Sequence, residues 1–176
     1  WTRRLHTYSD SAGKNSTSGK SKGDLHQLRH VIVVPDDAGE EAVAIAAGDL
    51  RQYLKRACRT VEVVVKPGTA VTNEDLRKST LILLGNDKVN GLLRRTKQAA
   101  HLTYRIAYQD KYRQITGVPL KDPGAGFSVR TIPSPYGSGH VVIMLEGEDK
   151  LGMQYAVYDW LEEALGVRFL SPYFEY

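Results

Sequence analysis

The sequence contains one cysteine among its 176 residues, Cys58, so a disulfide within the chain is excluded. It also has no run of 18 or more apolar residues, and the longest apolar stretches have the length of strands. This pattern predicts no membrane partner. None of the five histidines belongs to the His-Glu-x-x-His pattern of zinc enzymes. We therefore expect no cofactor and no metal ion.

The positive charge of the chain is concentrated at its beginning. Residues 1–30 carry six basic and two acidic side chains, whereas the rest of the chain carries 18 of each sign. Nucleic-acid binding requires a basic stripe on a folded element, and the charge pattern indicates none, so we expect no nucleic-acid partner. Ser, Gly, Lys and Asn dominate residues 9–24, which cannot bury enough apolar surface to offset the entropy of ordering. The sequence predicts a flexible basic tail or linker over residues 1–28.

Folded structure is predicted from residue 29 onward. Short β-branched or apolar runs predict strands at 31–35, 60–66, 79–84, 127–132 and 140–145, and the last two form a hairpin. Because the run at 79–84 is continuously apolar, we expect it to be central in its sheet. Apolar residues at helical spacing predict long helices over 40–59 and 149–165, and a short helix over 88–95. Residues 96–125 show no clear pattern beyond an alternation of Tyr104, Ile106 and Tyr108.

A hairpin requires antiparallel pairing, whereas the strand–helix–strand segments favour parallel strands. We therefore predict an α+β fold, in which a mixed β-sheet carries the two long helices on one face.

Carboxylates at three places are candidates for paired catalytic acids, since glycoside hydrolysis needs two carboxyl groups across a sugar site. Asp36 and Asp37 are interpreted as a helix start. Glu146, Glu148 and Asp149 precede a predicted helix, where acids stabilise the N-terminus, and capping is favoured over catalysis. Glu162 and Glu163 are interpreted as solvated side chains or as partners of Arg168. No catalytic residue is assigned from these patterns.

The C-terminal third carries a longer motif, Gly152-x-x-Tyr155-x-x-Tyr158-x-x-Leu161-Glu162-x-x-x-Gly166-Val167-Arg168-Phe169-x-x-Pro172, after a strand that ends at Glu146. This motif resembles the N-terminal α+β domain that precedes the catalytic barrel in α-glucuronidases, β-N-acetylhexosaminidases and related glycoside hydrolases. The resemblance extends over Arg29–Tyr176 and is strongest to the α-glucuronidase-like branch.

The resemblance implies a fold similar to the second domain of hexosaminidases, over residues 29–176. It also implies a non-catalytic accessory role in carbohydrate metabolism, in which the domain packs against a (β/α)₈ barrel that holds the catalytic acids. A secreted or periplasmic location follows from the same resemblance. In the motif, Tyr155, Tyr158 and Leu161 are expected on the buried face of the helix, and Gly152 is expected to let the helix approach the sheet.

The C-terminal residues Arg168, Tyr173, Phe174 and Tyr176 are the candidate contacts to the barrel or to sugar. The alternative function is a free-standing carbohydrate-binding module that uses Tyr136, Trp160 or the C-terminal tyrosines as aromatic platforms. Exposed coplanar rings would favour this alternative, and buried rings would count against it.

Overall fold

A computed structural model describes residues 29–36, 41–102, 126–137, 139–171 and 174–175. Within these residues the strands are β1 (Arg29–Val34), β2 (Glu62–Pro67), β3 (Thr80–Gly85), β4 (Phe127–Pro133), β5 (Val141–Gly147), β6 (Phe169–Ser171) and β7 (Phe174–Glu175). The helices are α1 (Glu41–Ala57), α2 (Asn73–Lys78), α3 (Gly91–Ala99) and α4 (Lys150–Leu165), and Gly68–Ala70 form one 3₁₀ turn. The predicted tail over residues 1–28 and the Tyr104–Tyr108 alternation lie outside the described residues.

Five strands form a mixed sheet in the order β2-β1-β3-β5-β4. The four strands β2, β1, β3 and β5 run parallel to one another. The edge strand β4 pairs antiparallel with β5, and the two form the predicted hairpin. The mixed sheet with helices that the sequence predicted is therefore present. The strand β3 is central, as its apolar run predicted, and all six of its residues are buried.

The register of the parallel strands divides their side chains between two apolar clusters. Ile32, Ile82 and Ile143 are aligned neighbours and belong to the first cluster. Val31, Leu81 and Val142 are aligned one position earlier and belong to the second. Successive strand residues point to opposite faces, so β1, β3 and β5 each bury side chains on both faces, whereas the edge strand β2 is only partly buried.

Helices complete both clusters. The first cluster contains side chains of α1 and of α4, among them Leu50, Leu54, Val157 and Leu161. The second contains Leu92 and Leu93 of α3. Burial of a Leu or Val side chain stabilises the fold by about 1.5–3 kcal/mol relative to exposure, so these contacts hold the helices on the sheet.

The short helices differ from the sequence prediction. Helix α2 was not predicted, because its six residues are mostly charged and give no apolar period. Helix α3 was predicted over 88–95 and instead covers Gly91–Ala99. The reason is its N-cap, because the side chain of Asn90 accepts hydrogen bonds from the first free N–H groups, those of Leu92 and Leu93.

The helix α4 buries part of the predicted face, because Leu161 is fully buried and Tyr158 packs half-buried against the first cluster. Its buried residues are Gly152, Met153, Ala156, Val157 and Leu161, whereas Leu151 is 46% and Tyr155 is 44% exposed. The assignment of Tyr155 to the buried face was therefore wrong. Two apolar stripes exist on this helix, and the one with smaller side chains faces the sheet.

Two glycines fix the path of the chain around α4. A Cβ atom on Gly147 would collide with the backbone nitrogen of Met153 and would lie 2.6 Å from the carbonyl oxygen of Asp149, so the helix start packs directly on this residue. Gly166 has φ +70° and ends the helix in the left-handed conformation, as predicted.

Candidate functional site

The carboxyl ends of the parallel strands are the first place to look for a site. From β1 the chain passes through α1 to β2 on one side, and it then returns to β3 on the other side of β1. The carboxyl ends of β1 and β3 therefore flank a topological switch point. In open α/β sheets, ligands bind in the crevice outside such a switch point.

In this protein the side chain of Asn90 occupies the switch point. Its Nδ2 donates to the carbonyl oxygens of Val33, at 3.2 Å, and Leu84, at 2.9 Å, which end β1 and β3. Its Oδ1 accepts hydrogen bonds from Leu92 and Leu93 N–H, both at 3.1 Å. The residue is fully buried. All four contacts link the strand ends to the start of α3, so the amide joins three elements from within the crevice.

Neighbouring residues pack around the turn after β3 and the end of β1. A Cβ on Gly85 would lie 3.1 Å from Pro35 Cγ and 3.3 Å from Val89 Cγ2, so these two side chains already cover the turn after β3. Asp36 Oδ1 accepts a hydrogen bond of 2.8 Å from the N–H of Thr69, and this ties the end of β1 to the 3₁₀ turn. Asp36 thus links two loops, and it does not start α1, which begins at Glu41.

The acidic residues near the end of β5 have separate structural tasks. Glu146 is 1% exposed and forms an ion pair of 2.7 Å with Lys97 Nζ of α3. Lys97 also lies 3.7 Å from Asp87. Asp149 caps α4 and accepts a hydrogen bond of 2.7 Å from the N–H of Gly152. The capping interpretation holds for Asp149, but it was wrong for Glu146. Lys97, the partner of Glu146, lies in the segment 96–125, whose sequence predicted no element.

A second charged network lies beneath the edge strand β2. Asp75 of α2 is 1% exposed, and its carboxylate contacts Arg29 Nη1 at 2.6 Å and Lys66 Nζ at 2.7 Å. Thr72 forms a capping box with Asp75 through its N–H and its hydroxyl. Burial alone would raise the pKa of Asp75, but Lys66 and the Thr72 hydrogen bonds outweigh it and lower the pKa to about 2.

Sequence reasoning missed this network. The Thr72-x-x-Asp75 spacing is a variant of the capping-box pattern, and it was the available signal for α2.

The predicted contact residues are only partly described. Arg168 is exposed, and its Nη1 donates to the carbonyl oxygens of Glu162, at 3.4 Å, and Val167, at 3.3 Å. Phe174 lies in β7, which pairs with β6. Tyr173 and Tyr176 lie outside the described residues.

Two described aromatic residues near the C-terminus, Tyr158 and Phe169, are half-buried and pack against the first cluster. Phe169 lies between two rings, with centroids 5.8 Å from Tyr53 and 5.1 Å from Tyr158. The hydroxyl of Tyr158 donates a hydrogen bond of 3.0 Å to Asp49. Burial, as the larger effect, and this hydrogen bond together raise the pKa of Tyr158 to about 12. Trp160 packs against the first cluster.

Two aromatic surfaces remain to be considered as sugar platforms. Tyr136 packs against the second cluster and shares a hydrogen bond of 2.8 Å with Thr96. Phe127 and Tyr155 are exposed, but their planes are inclined by 63° with centroids 6.4 Å apart. The rings of Phe127 and Tyr155 are therefore not coplanar, and Tyr136 and Trp160 are half-buried, so the binding-module alternative stays a prediction.

The nucleophilic and metal-binding side chains of the described residues do not form a centre. No group of three or more His, Cys, Asp or Glu side chains in this part of the chain is arranged to hold a metal ion. Burial, and then the nearby His140, lower the pKa of His30. The thiol of Cys58 lies 3.5 Å from Thr60 Oγ1, and this hydrogen bond lowers its pKa. The helices of the described residues include none with the length and apolar character needed to cross a bilayer.

Comparison of the sequence with protein-family models and with curated proteins finds no match.

Proposed function

We propose that this chain is a non-catalytic accessory domain of a glycoside hydrolase, and that it packs against a catalytic (β/α)₈ barrel contributed by a separate part of the parent protein. The finer architecture is part of the proposal: a domain similar to the second domain of hexosaminidases, with α1 and α4 together on one face of the sheet. Side chains from both helices in the first apolar cluster support this arrangement. A secreted or periplasmic location belongs to the same proposal.

One observation carries the proposal. The switch point of the sheet, where an enzyme or binding protein of this topology would hold its ligand, is filled by the buried side chain of Asn90. The four hydrogen bonds of the Asn90 amide are all made within the domain, so this side chain is committed to the fold. The geometry therefore favours a role in which the domain supports another domain.

The motif around α4 agrees with such a role, because its residues make contacts that stabilise the domain. Asp149 and Gly166 fix the two ends of the helix, and Tyr158 anchors it to α1 through Asp49. Phe169 then returns the chain onto the same helices. In this proposal, the contacts of Phe169 fix the direction in which the chain leaves α4 toward the following domain.

Activity measurements test the proposal. The purified chain is incubated with aryl glycosides that include glucuronides and N-acetylglucosaminides, and released phenol is followed. We expect no turnover above buffer. The proposal would be contradicted by turnover of the purified chain that the N90A variant keeps and that a variant of an acid at the strand ends, such as E148Q, loses. Such a result would place an active site in this domain.

The sugar-binding alternative is tested separately by glycan binding of the purified chain. Saturable binding that is lost in a Y136A variant and kept in a Y155A variant would contradict the accessory role and favour a binding module.

A further inference from the structure

The outer edge of the sheet at β2 provides an inference that is independent of the proposed function. In the described part of the chain, β2 is an edge strand whose one strand neighbour is β1, and no described strand pairs with its opposite edge. The strand contains three consecutive valines, Val63–Val65, between Glu62 and Lys66. An exposed edge of β-branched residues is a template for pairing with another strand.

The charges of this strand are arranged symmetrically about Val64. Glu62 precedes Val64 by two residues and Lys66 follows it by two. When two copies of β2 pair antiparallel with Val64 opposite Val64, Glu62 of each copy faces Lys66 of the other. Opposite charges directly across an antiparallel pair are stabilising, whereas a parallel arrangement in the same register would place like charges together.

These side chains retain exposure that a second strand would cover. Glu62 contacts Arg29 at 3.1 Å and is still 49% exposed, and Lys66 contacts Asp75 and is 23% exposed. Val64 and Val65 are half-buried, in contrast to the fully buried valines of β1. Pro67 ends the strand and has no N–H, so it limits the pairing to the five residues between Glu62 and Lys66.

The other edge of the sheet lacks this self-complementarity. The strand β4 has Arg130 at its centre, so antiparallel pairing of two β4 strands about that residue would oppose two guanidinium groups. A contact through β2 therefore closes as a two-fold dimer and does not extend into a fibre.

We propose that two copies of this chain associate through antiparallel pairing of their β2 edges, with Val64 on the two-fold axis and Glu62 opposite Lys66. The occupant of this edge is a second copy because the charge pattern is complementary to itself. Five residue pairs bury less than the roughly 1,200 Å² of a stable interface, so the dimer is weak and concentration-dependent.

Sedimentation of the purified chain from about 5 to about 500 µM tests this inference. We expect a monomer–dimer equilibrium in this range. V64K and V64E variants, which place like charges on the axis, should each dimerise at least about tenfold more weakly, and an equimolar mixture of the two should restore the dimer. Circular dichroism confirms that each variant is folded. A wild-type chain that stays monomeric at the highest concentration, or V64K dimers as strong as the wild type, would overturn the proposal.

Oxidative cross-linking in a C58S background fixes the register. V64C chains lie opposite each other and should form a disulfide dimer. In the same register, residue 65 of one copy faces residue 63 of the other, so two V65C cysteines are two residues apart along the strands. Their Cα atoms are then separated by more than the roughly 7 Å limit of a disulfide. Equal cross-linking of both variants would refute the proposed register and with it the assigned two-fold axis.

Discussion

The ionised carboxylate of Asp75 should make the stability of the domain depend on pH in a specific acid range. Its folded pKa of about 2 lies below the reference value of 3.8, and each pKa unit corresponds to about 1.36 kcal/mol. The shift corresponds to about 2 kcal/mol of stability above pH 4. Because the folded pKa is depressed, this contribution is fully present above the unfolded pKa and is lost as the pH falls through about 2.

The D75N variant removes this charge and tests the magnitude. At pH 7 we expect its unfolding free energy to be lower by about 2–3 kcal/mol, measured by urea denaturation. Between pH 5 and pH 2 the difference between wild type and variant should shrink, because the wild-type carboxylate loses its advantage on protonation. The matched control is E74Q, which changes an exposed neighbour of the same helix and should behave as wild type. A constant difference from pH 7 to pH 2 would refute the electrostatic account of this site.

Three further substitutions probe the other parts of the fold, each by chemical denaturation. The N90A variant should have a free energy of unfolding lower by about 3–4 kcal/mol, because a helix cap is lost and two buried carbonyl groups lose their donor. The N90D variant keeps the cap acceptor but not the donor, so it should not restore the wild-type value. The K97M variant should have a free energy of unfolding lower by about 3–5 kcal/mol, because it removes the ammonium group that pairs with the buried carboxylate of Glu146. The K97M/E146L double variant should recover most of this loss. An equal loss in the single and the double variant would argue against the ion pair. G147A should cost more than about 3 kcal/mol through a backbone collision, whereas G48A, in an open helix position, should stabilise by about 0.5–1 kcal/mol; a tolerated G147A would contradict the close packing of α4.

The sequence predicted those elements whose signal is local and repetitive. The valine run of β1 and the apolar run of β3 predicted buried strands, and the apolar spacing of α1 predicted its position to within two residues. Gly166 predicted the end of α4 because a left-handed residue is needed there. The hairpin of β4 and β5 predicted the mixed character of the sheet.

The sequence did not predict features that depend on distant partners. The role of Asn90 depends on the carbonyl groups of Val33 and Leu84, and the ion pair of Glu146 depends on Lys97, 49 positions earlier in the chain. Tyr155 was wrongly assigned to the buried face of α4 because apolar residues also occur at Met153, Ala156 and Val157, and these are the residues that the structure buries. Tertiary packing therefore decides what local periodicity leaves open.

The reading frame that encodes these residues, followed by an activity assay of its full product, tests the accessory-domain proposal most directly. The proposal predicts that the frame continues beyond Tyr176 into a strand–helix alternation of about 250 residues or more, and that the full product hydrolyses a glycoside while the 176 residues alone do not. A frame that stops at Tyr176, or full activity of the 176 residues alone, would contradict it.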